Sequence, residues 1–345
     1  MDAGRQRGIV GFFKAHPILL LLVLTPGIPE YLSGSSALNI LVKNPVIFFI
    51  FLAANLGLYG PGVLLIREAK VRWHKGWATV LLLGAAYGIL EEGIALSTLF
   101  NPTAGPVGQL GFYGHWLGVN WIWTAGILSV HMIFSISLPI LLLGLALPET
   151  NGRRLLSSRA AINVTFAILS VDVLILFLVT RFGEHFWMGT PIFFGSFATI
   201  GVLVFLASKV PANAPTPTSL APTRSPFWTG LAGALFYPSI LFVEFFGMGA
   251  KLPAPIDLCL VVLDQFLYLR FVLRIIGKSN NERNLITLVA GLIIPIGLFG
   301  VISEIPFALS LLADLIALIL LRMLWKKYPE KPPQMVQTSG DYLLQ

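Results

Sequence analysis

Charge is what this sequence has least of. Asp, Glu, Lys and Arg make up only 11% of the 345 residues, whereas about one quarter is usual in soluble domains. Hydrophobic residues make up 56%. A water-soluble core cannot hide that proportion of apolar side chain, which excludes an ordinary soluble enzyme. Cysteine is almost missing too. With Cys259 alone, an intramolecular disulfide and a thiolate metal cluster are both excluded. The short alternating segments of a transmembrane β-barrel are also lacking; the apolar runs are long and continuous. No A-x-A-like site interrupts the first of them, so residues 1–16 are expected to remain on the chain instead of being cleaved as a signal.

What remains is an all-α, polytopic transmembrane helix bundle with the lipid bilayer as its solvent. A span takes about 20 mainly apolar residues, and about ten such spans are expected: 17–34, 45–66, 76–100, 119–147, 160–181, 191–208, 227–248, 254–275, 285–303 and 306–325. The basic residues segregate accordingly. Arg5, Arg7 and Lys14, then Arg67 to Lys75, Arg153 to Arg159, Lys209 and Arg224, Arg270 to Arg283, and Arg322 to Lys331 fall on one side, while only Lys43, Arg181 and Lys251 fall on the other. The positive-inside rule makes the rich side cytoplasmic, with both termini there, in a multi-pass protein of the cell membrane. The same segregation accounts for the net charge of +7 without a nucleic-acid partner.

Four regions follow: a six-helix membrane region over 1–210, a Pro/Thr/Ala linker over 211–226, a four-helix membrane region over 227–327, and a polar tail over 328–345 expected to be disordered. The external connection from Asn101 to Asn120 is rich in Gly and aromatics. Its Tyr113 and Trp116, with Trp121 and Trp123, are expected to form an interfacial aromatic belt.

Acids inside spans carry the chemistry. A carboxylate near the bilayer centre costs at least ~2.5–3.5 kcal/mol, so it needs a partner, water or a proton. The third span reads Gly84-Ala-Ala-Tyr-Gly88-Ile-Leu-Glu91-Glu92-Gly93, two adjacent acids with no basic neighbour within two helical turns. Gly84 and Gly88 make a small-xxx-small face suited to close helix packing. In the next span His131, Ser135 and Pro139 are spaced by four and share one face. The proline leaves the Ser135 carbonyl without its usual donor. Counted from the external ends at 1.5 Å per residue, Glu91 and Glu92 lie ~12–14 Å deep and His131 ~18 Å, so Glu91, Glu92 and His131 are expected to converge in one protein-lined polar cavity. Glu30 lies in the proline-broken first span, while Asp172, Asp264 and Asp314 are single acids that one helix partner can satisfy.

An adjacent glutamate pair followed by a histidine on the next span resembles the CPBP family of intramembrane proteases, which includes the CAAX prenyl-protein endopeptidases. That family carries Glu-Glu-x-x-x-Arg, then Phe-x-x-x-His, then a later His-x-x-x-Asn. Here Leu96 stands at the arginine position and Ile127 at the phenylalanine, and no later span holds a histidine. The resemblance covers the diglutamate and His131. It implies a membrane-embedded protease with Glu91 as general base and His131 as a site residue. The residues by themselves also fit a proton- or cation-coupled transporter, in which Glu91, Glu92, His131 and an Asp relay charge, or a non-catalytic membrane protein in which they hold helices together. They assign no cofactor and leave open whether a metal binds.

Overall fold

A computed structural model describes residues 8–36, 38–212, 226–276, 282–304 and 309–329. Most of the expected linker, 213–225, and of the expected tail, 330–345, lies outside the described residues. The described chain is all-α apart from one two-residue hairpin. A short α1 (Ile9–Ala15) precedes α2 (Pro17–Pro26), which widens into a π-helical turn at Gly27–Leu32; α3 (Ile40–Lys43) and the 28-residue α4 (Pro45–Arg72) follow. Next come α5 (Trp77–Gly88) with a π turn at Ile89–Ala95, and α6 (Trp121–Val130) with a π turn at His131–Ser137 that leads into α7 (Leu138–Ala146). The remainder is α8 (Arg159–Gly183), α9 (Thr190–Lys209), α10 (Pro226–Gly249), α11 (Ala254–Ile276), α12 (Glu282–Glu304) and α13 (Ser310–Lys327).

Among the described residues seven helices are long and apolar enough to cross a membrane: Pro45–Arg72, Trp77–Ala95, Trp121–Ala146, Arg159–Gly183, Thr190–Lys209, Pro226–Gly249 and Glu282–Glu304. Helices also occupy the other three expected spans, and each falls short for a physical reason. Pro17–Leu32 is a shorter apolar helix. Helix α11 carries Asp257, Asp264, Arg270 and Arg274, and α13 carries Asp314, Arg322, Lys326 and Lys327. The chain is thus an apolar α-helical bundle of the integral-membrane type.

Local chemistry sets the helix starts. Pro45 occupies the first turn of α4, where its missing N–H costs nothing, and the Asn44 side chain accepts from Ile47 N at 3.2 Å. Ser158 caps α8 in the same way through Ala161 N at 3.0 Å. Helix α8 buries Thr165, Leu169, Val173 and Thr180, a single stripe, and turns Val164, Phe166, Ile168, Val171 and Ile175 outward. An apolar face of that kind suits lipid.

Where helix backbones touch, glycine is what allows it. Gly230 and Gly233 of α10 meet Leu288 and Gly291 of α12 with backbone against backbone, and Gly300 of α12 lies on the chain at Leu32–Gly34. Gly34 has a positive φ of 77° at that contact, a conformation open to glycine at little cost.

At the basic end the expected boundary at residue 66 is too early. Helix α4 runs to Arg72, and Arg67, only 3% exposed, is a buried structural residue and not a free loop charge. Its guanidinium donates to Glu68 Oε1 at 2.9 Å and to the carbonyls of Thr150 and Arg153. Glu68 also accepts from Leu155 N at 2.7 Å and from Arg72 Nε at 3.2 Å. Three charged side chains therefore clamp the segment after α7 onto α4.

At the opposite end, β1 (His115–Trp116) and β2 (Val119–Asn120) pair antiparallel. Leu117 and Gly118 both have positive φ (52° and 75°), the two-residue geometry that matches strand twist. The expected belt is only partly a belt. Trp121 donates its indole N–H to Trp116 O at 3.0 Å and their rings lie 5.6 Å apart, whereas Trp123 turns inward.

Candidate functional site

The three π turns carry the polar residues. Each has i→i+5 hydrogen bonding, of which Leu96 N to Glu91 O at 2.9 Å is an instance. Two have an evident cause. Pro29 lies inside the turn at Gly27–Leu32, and Pro139 follows the turn at His131–Ser137; both remove a backbone donor. The middle turn at Ile89–Ala95 has no proline, and its carbonyls find other partners: Thr98 Oγ1 and Leu99 N both donate to Glu92 O, each at 3.3 Å. A wider turn holds more residues, so neighbouring side chains diverge less than the ~100° of an α-helix. That lets two consecutive acids address one histidine.

They do so. His131 Nε2 lies 2.9 Å from Glu92 Oε1, and Nδ1 lies 3.3 Å from Glu91 Oε2 and 3.0 Å from Ser135 Oγ. Glu91, Glu92 and His131 are 1%, 7% and 3% exposed. The glycine face of α5 brings them together. A Cβ on Gly84 would meet the backbone of Met132, and one on Gly88 would press on Leu128 and on His131 Cβ. The other oxygen of Glu92 accepts from Thr98 Oγ1, which in turn accepts from the Trp123 indole at 3.2 Å. Asn120 Nδ2 donates to Thr98 O at 2.7 Å, so the 101–120 connection supports the site.

The first π turn adds a third carboxylate. Glu30 accepts from Tyr59 OH and from Ser36 Oγ, both at 2.6 Å. The Tyr59 ring stacks beside His131 with centroids 6.5 Å apart, and Tyr87 meets the same imidazole edge-on at 6.2 Å. Gly62 of α4 makes room for the Tyr87 ring. Glu30, Tyr59, Tyr87 and Ser135 thus surround the expected trio. Tyr87 was signalled by its place four residues before Glu91, on the same face of the helix; Tyr59 and Glu30 reach the site only through the tertiary fold.

Asp172, Asp264 and Asp314 do not join it. Asp172 stands against Gly57, Asp314 against Gly297, and Asp264 accepts from Ser239 Oγ at 3.1 Å and Gln265 Nε2 at 2.9 Å.

Chemically, the cluster holds three acids and one imidazole, and among the described residues no Lys or Arg pairs with it. Glu91 Oε2 is buried and faces the imidazole edge, and the Tyr59 and Tyr87 hydroxyls are the other donors beside this carboxylate. One ligand atom from each of Glu91, Glu92 and His131 lies within 4.8 Å of the others. The oxygen and nitrogen donors suit a borderline metal ion such as zinc as well as a bound water. No family model, curated protein or solved structure matches the chain.

Proposed function

We propose that this protein is an intramembrane hydrolase, of the kind the CPBP resemblance implies, that cleaves a peptide bond at the Glu91–Glu92–His131 site. The observation that carries the reading is the Glu91 carboxylate beside His131 Nδ1, with no Lys or Arg paired to it among the described residues, buried where three widened helix turns meet. In the reaction, Glu91 takes a proton from water as the water oxygen bonds to the substrate carbonyl carbon. The carbonyl electrons move to oxygen, and an N–H of His131 stabilises that developing charge. Glu91 then delivers the proton to the departing amine as the C–N bond breaks. Glu92, fixed by Thr98, orients the imidazole through Nε2. The accompanying topology is ten crossings of the cell membrane with both termini cytoplasmic, which places the site toward the outer leaflet.

A second reading has its own observation. Ser36 Oγ and Tyr59 OH both donate to Glu30 at 2.6 Å, and the Tyr59 hydroxyl also lies beside Glu91, so exchangeable protons extend from Ser36 to the Glu91–His131 pair. Such a line suits proton- or cation-coupled transport.

One pair of assays separates the two. Purified protein in nanodiscs is incubated with membrane-anchored peptides, prenylated and unprenylated, and products are read by mass spectrometry; the same protein in liposomes is tested for proton flux. Hydrolysis is expected in the wild type and a loss of about 10²-fold or more in Glu91→Gln and His131→Ala, with unfolding midpoints retained. Cleavage that survives Glu91→Gln overturns the mechanism. Proton flux abolished by Glu91→Gln, without any cleavage, overturns the hydrolase and leaves the transporter.

A further inference from the structure

A second pair of acids is buried elsewhere with nothing to neutralise it. Glu244 of α10 is 4% exposed and Asp257, in the first turn of α11, is 0% exposed. Among the described residues, ion pairs are confined to Arg67, Arg72 and Glu68 and to the His131 cluster, so neither acid has a basic partner. Both carboxylate oxygens of Asp257 are buried, and among the described residues the Tyr113 hydroxyl is the side-chain donor beside them.

The two acids share one face of α10. Asp257 rests on Gly247, where a Cβ would collide with its carboxylate, and Glu244 precedes Gly247 by three residues. That places Glu244 about 4.5 Å along the α10 axis from the glycine that Asp257 rests on. Glu244 extends onto Gly126 of α6, where a Cβ would again collide with the carboxylate. Two absent side chains thus make the space that two carboxylates fill, at the junction of α6, α10 and α11. The Tyr113 hydroxyl lies beside Asp257 but is donated to Leu252 O at 3.1 Å. Val107, Leu110, Ile122, Val243 and Val261 pack around the junction and keep it apolar otherwise.

We propose that Glu244 and Asp257 bind a hard divalent cation, Mg²⁺ or Ca²⁺, at this junction. Carboxylates are acceptor-only when ionised, so a buried pair whose side-chain donor is one tyrosine O–H shared with Leu252 O calls for a positive ligand, and two carboxylate charges match one dication. Mg²⁺ binds through one or two carboxylates while retaining waters, and Ca²⁺ takes carboxylate and carbonyl oxygens together. The ion would tie the start of α11 to α10 beneath the 101–120 connection, whose Asn120 supports the Glu92–Thr98 contact.

The test uses full-length protein in detergent, stripped with chelator and titrated with CaCl₂ and MgCl₂. Thermal unfolding is followed by tryptophan fluorescence, and bound Mn²⁺ is counted by electron paramagnetic resonance in the Glu91→Gln/Glu92→Gln/His131→Ala background, which removes the other candidate ligand set. One bound ion and a raised midpoint are expected, with affinity at least ten-fold weaker in Glu244→Gln and in Asp257→Asn. Binding unchanged in Asp257→Asn overturns the proposal. So does a folded Glu244→Gln/Asp257→Asn variant more stable than wild type at every cation concentration, because the pair would then be held by protons. If the variants do not fold, fewer than one Mn²⁺ bound in the Glu91→Gln/Glu92→Gln/His131→Ala protein overturns it equally.

Discussion

Tyr59 and Tyr87 flank the same imidazole, yet their hydroxyls have different fates, and that difference is measurable. Tyr59 donates to the half-buried Glu30 at 2.6 Å, whereas the buried Tyr87 hydroxyl has Glu91 as its near acceptor, without a contact of that closeness. Removing the short hydrogen bond to a half-buried carboxylate leaves that acceptor short of a donor, so Tyr59→Phe is expected to cost ~1–3 kcal/mol, whereas Tyr87→Phe, which loses a looser contact, is expected to cost less. Thermal midpoints of the two variants in one detergent check this; equal effects would mean that Glu30 has another donor. The residues legible in the sequence were those with no cheap alternative. Adjacent acids in an apolar run must find a partner, and His131 was the intramembrane base on the neighbouring span. Glu30 and Tyr59 were not legible as partners, because a 29-residue separation has no periodicity to connect them. Glu244 and Asp257 escaped for a related reason. Glu244 is the lone acid of α10 and Asp257 lies seven residues from the other acid of α11, so only the packing of α10 on α11 makes them a pair.

The bundle's tightest elements meet through glycine, so each substitution can be judged by what a methyl group would strike. On Gly291 it would strike the carbonyl of Gly230, which is backbone of α10 and cannot rotate away; on Gly201 of α9 it would meet nothing. Gly291→Ala is therefore expected to lower stability by ~1–3 kcal/mol or more through overpacking, while Gly201→Ala gains up to ~1 kcal/mol of helix propensity. Opposite shifts of the unfolding midpoint are the signature, and a neutral Gly291→Ala would contradict the backbone contact between α10 and α12. Helices were legible as long apolar runs, and two of the three π turns were foreshadowed by Pro29 and Pro139. The middle one was not, for no proline marks Ile89–Ala95. Helix ends were misplaced at the basic side: a cluster of Arg67, Glu68 and Arg72 looks like loop in composition, but its charges satisfy one another and the 150–156 backbone, so α4 continues.

As a whole molecule the protein shows its solvent by what it leaves uncovered, including Phe166, Phe194, Phe205, Phe242, Ile294, Leu298 and Ile319. Water would drive such surfaces together; lipid does not, and the bundle must then be held by close packing and polar contacts. Composition made this legible at once, and charge segregation ordered the ends, while the number of crossings depends on α2, α11 and α13, whose length or charge the apolar runs alone did not weigh. The proposed topology puts the turn at residue 74 and the hairpin tip at residue 117 on opposite sides. In a Cys259→Ser background, a membrane-impermeant thiol reagent applied to intact cells is expected to label Leu117→Cys and spare His74→Cys, and the reverse pattern would invert the orientation. The three π turns have one more consequence. A wide turn amounts to one residue more than an α-helical turn needs, so Glu30, the diglutamate and His131 all sit where the chain is locally too long. Deleting any single residue there would restore ideal helix while swinging everything beyond it around the axis and out of register with its neighbours. The site is therefore written in the length of the chain as well as in its letters, and a shorter, more regular version of this protein would keep every acid and lose their meeting.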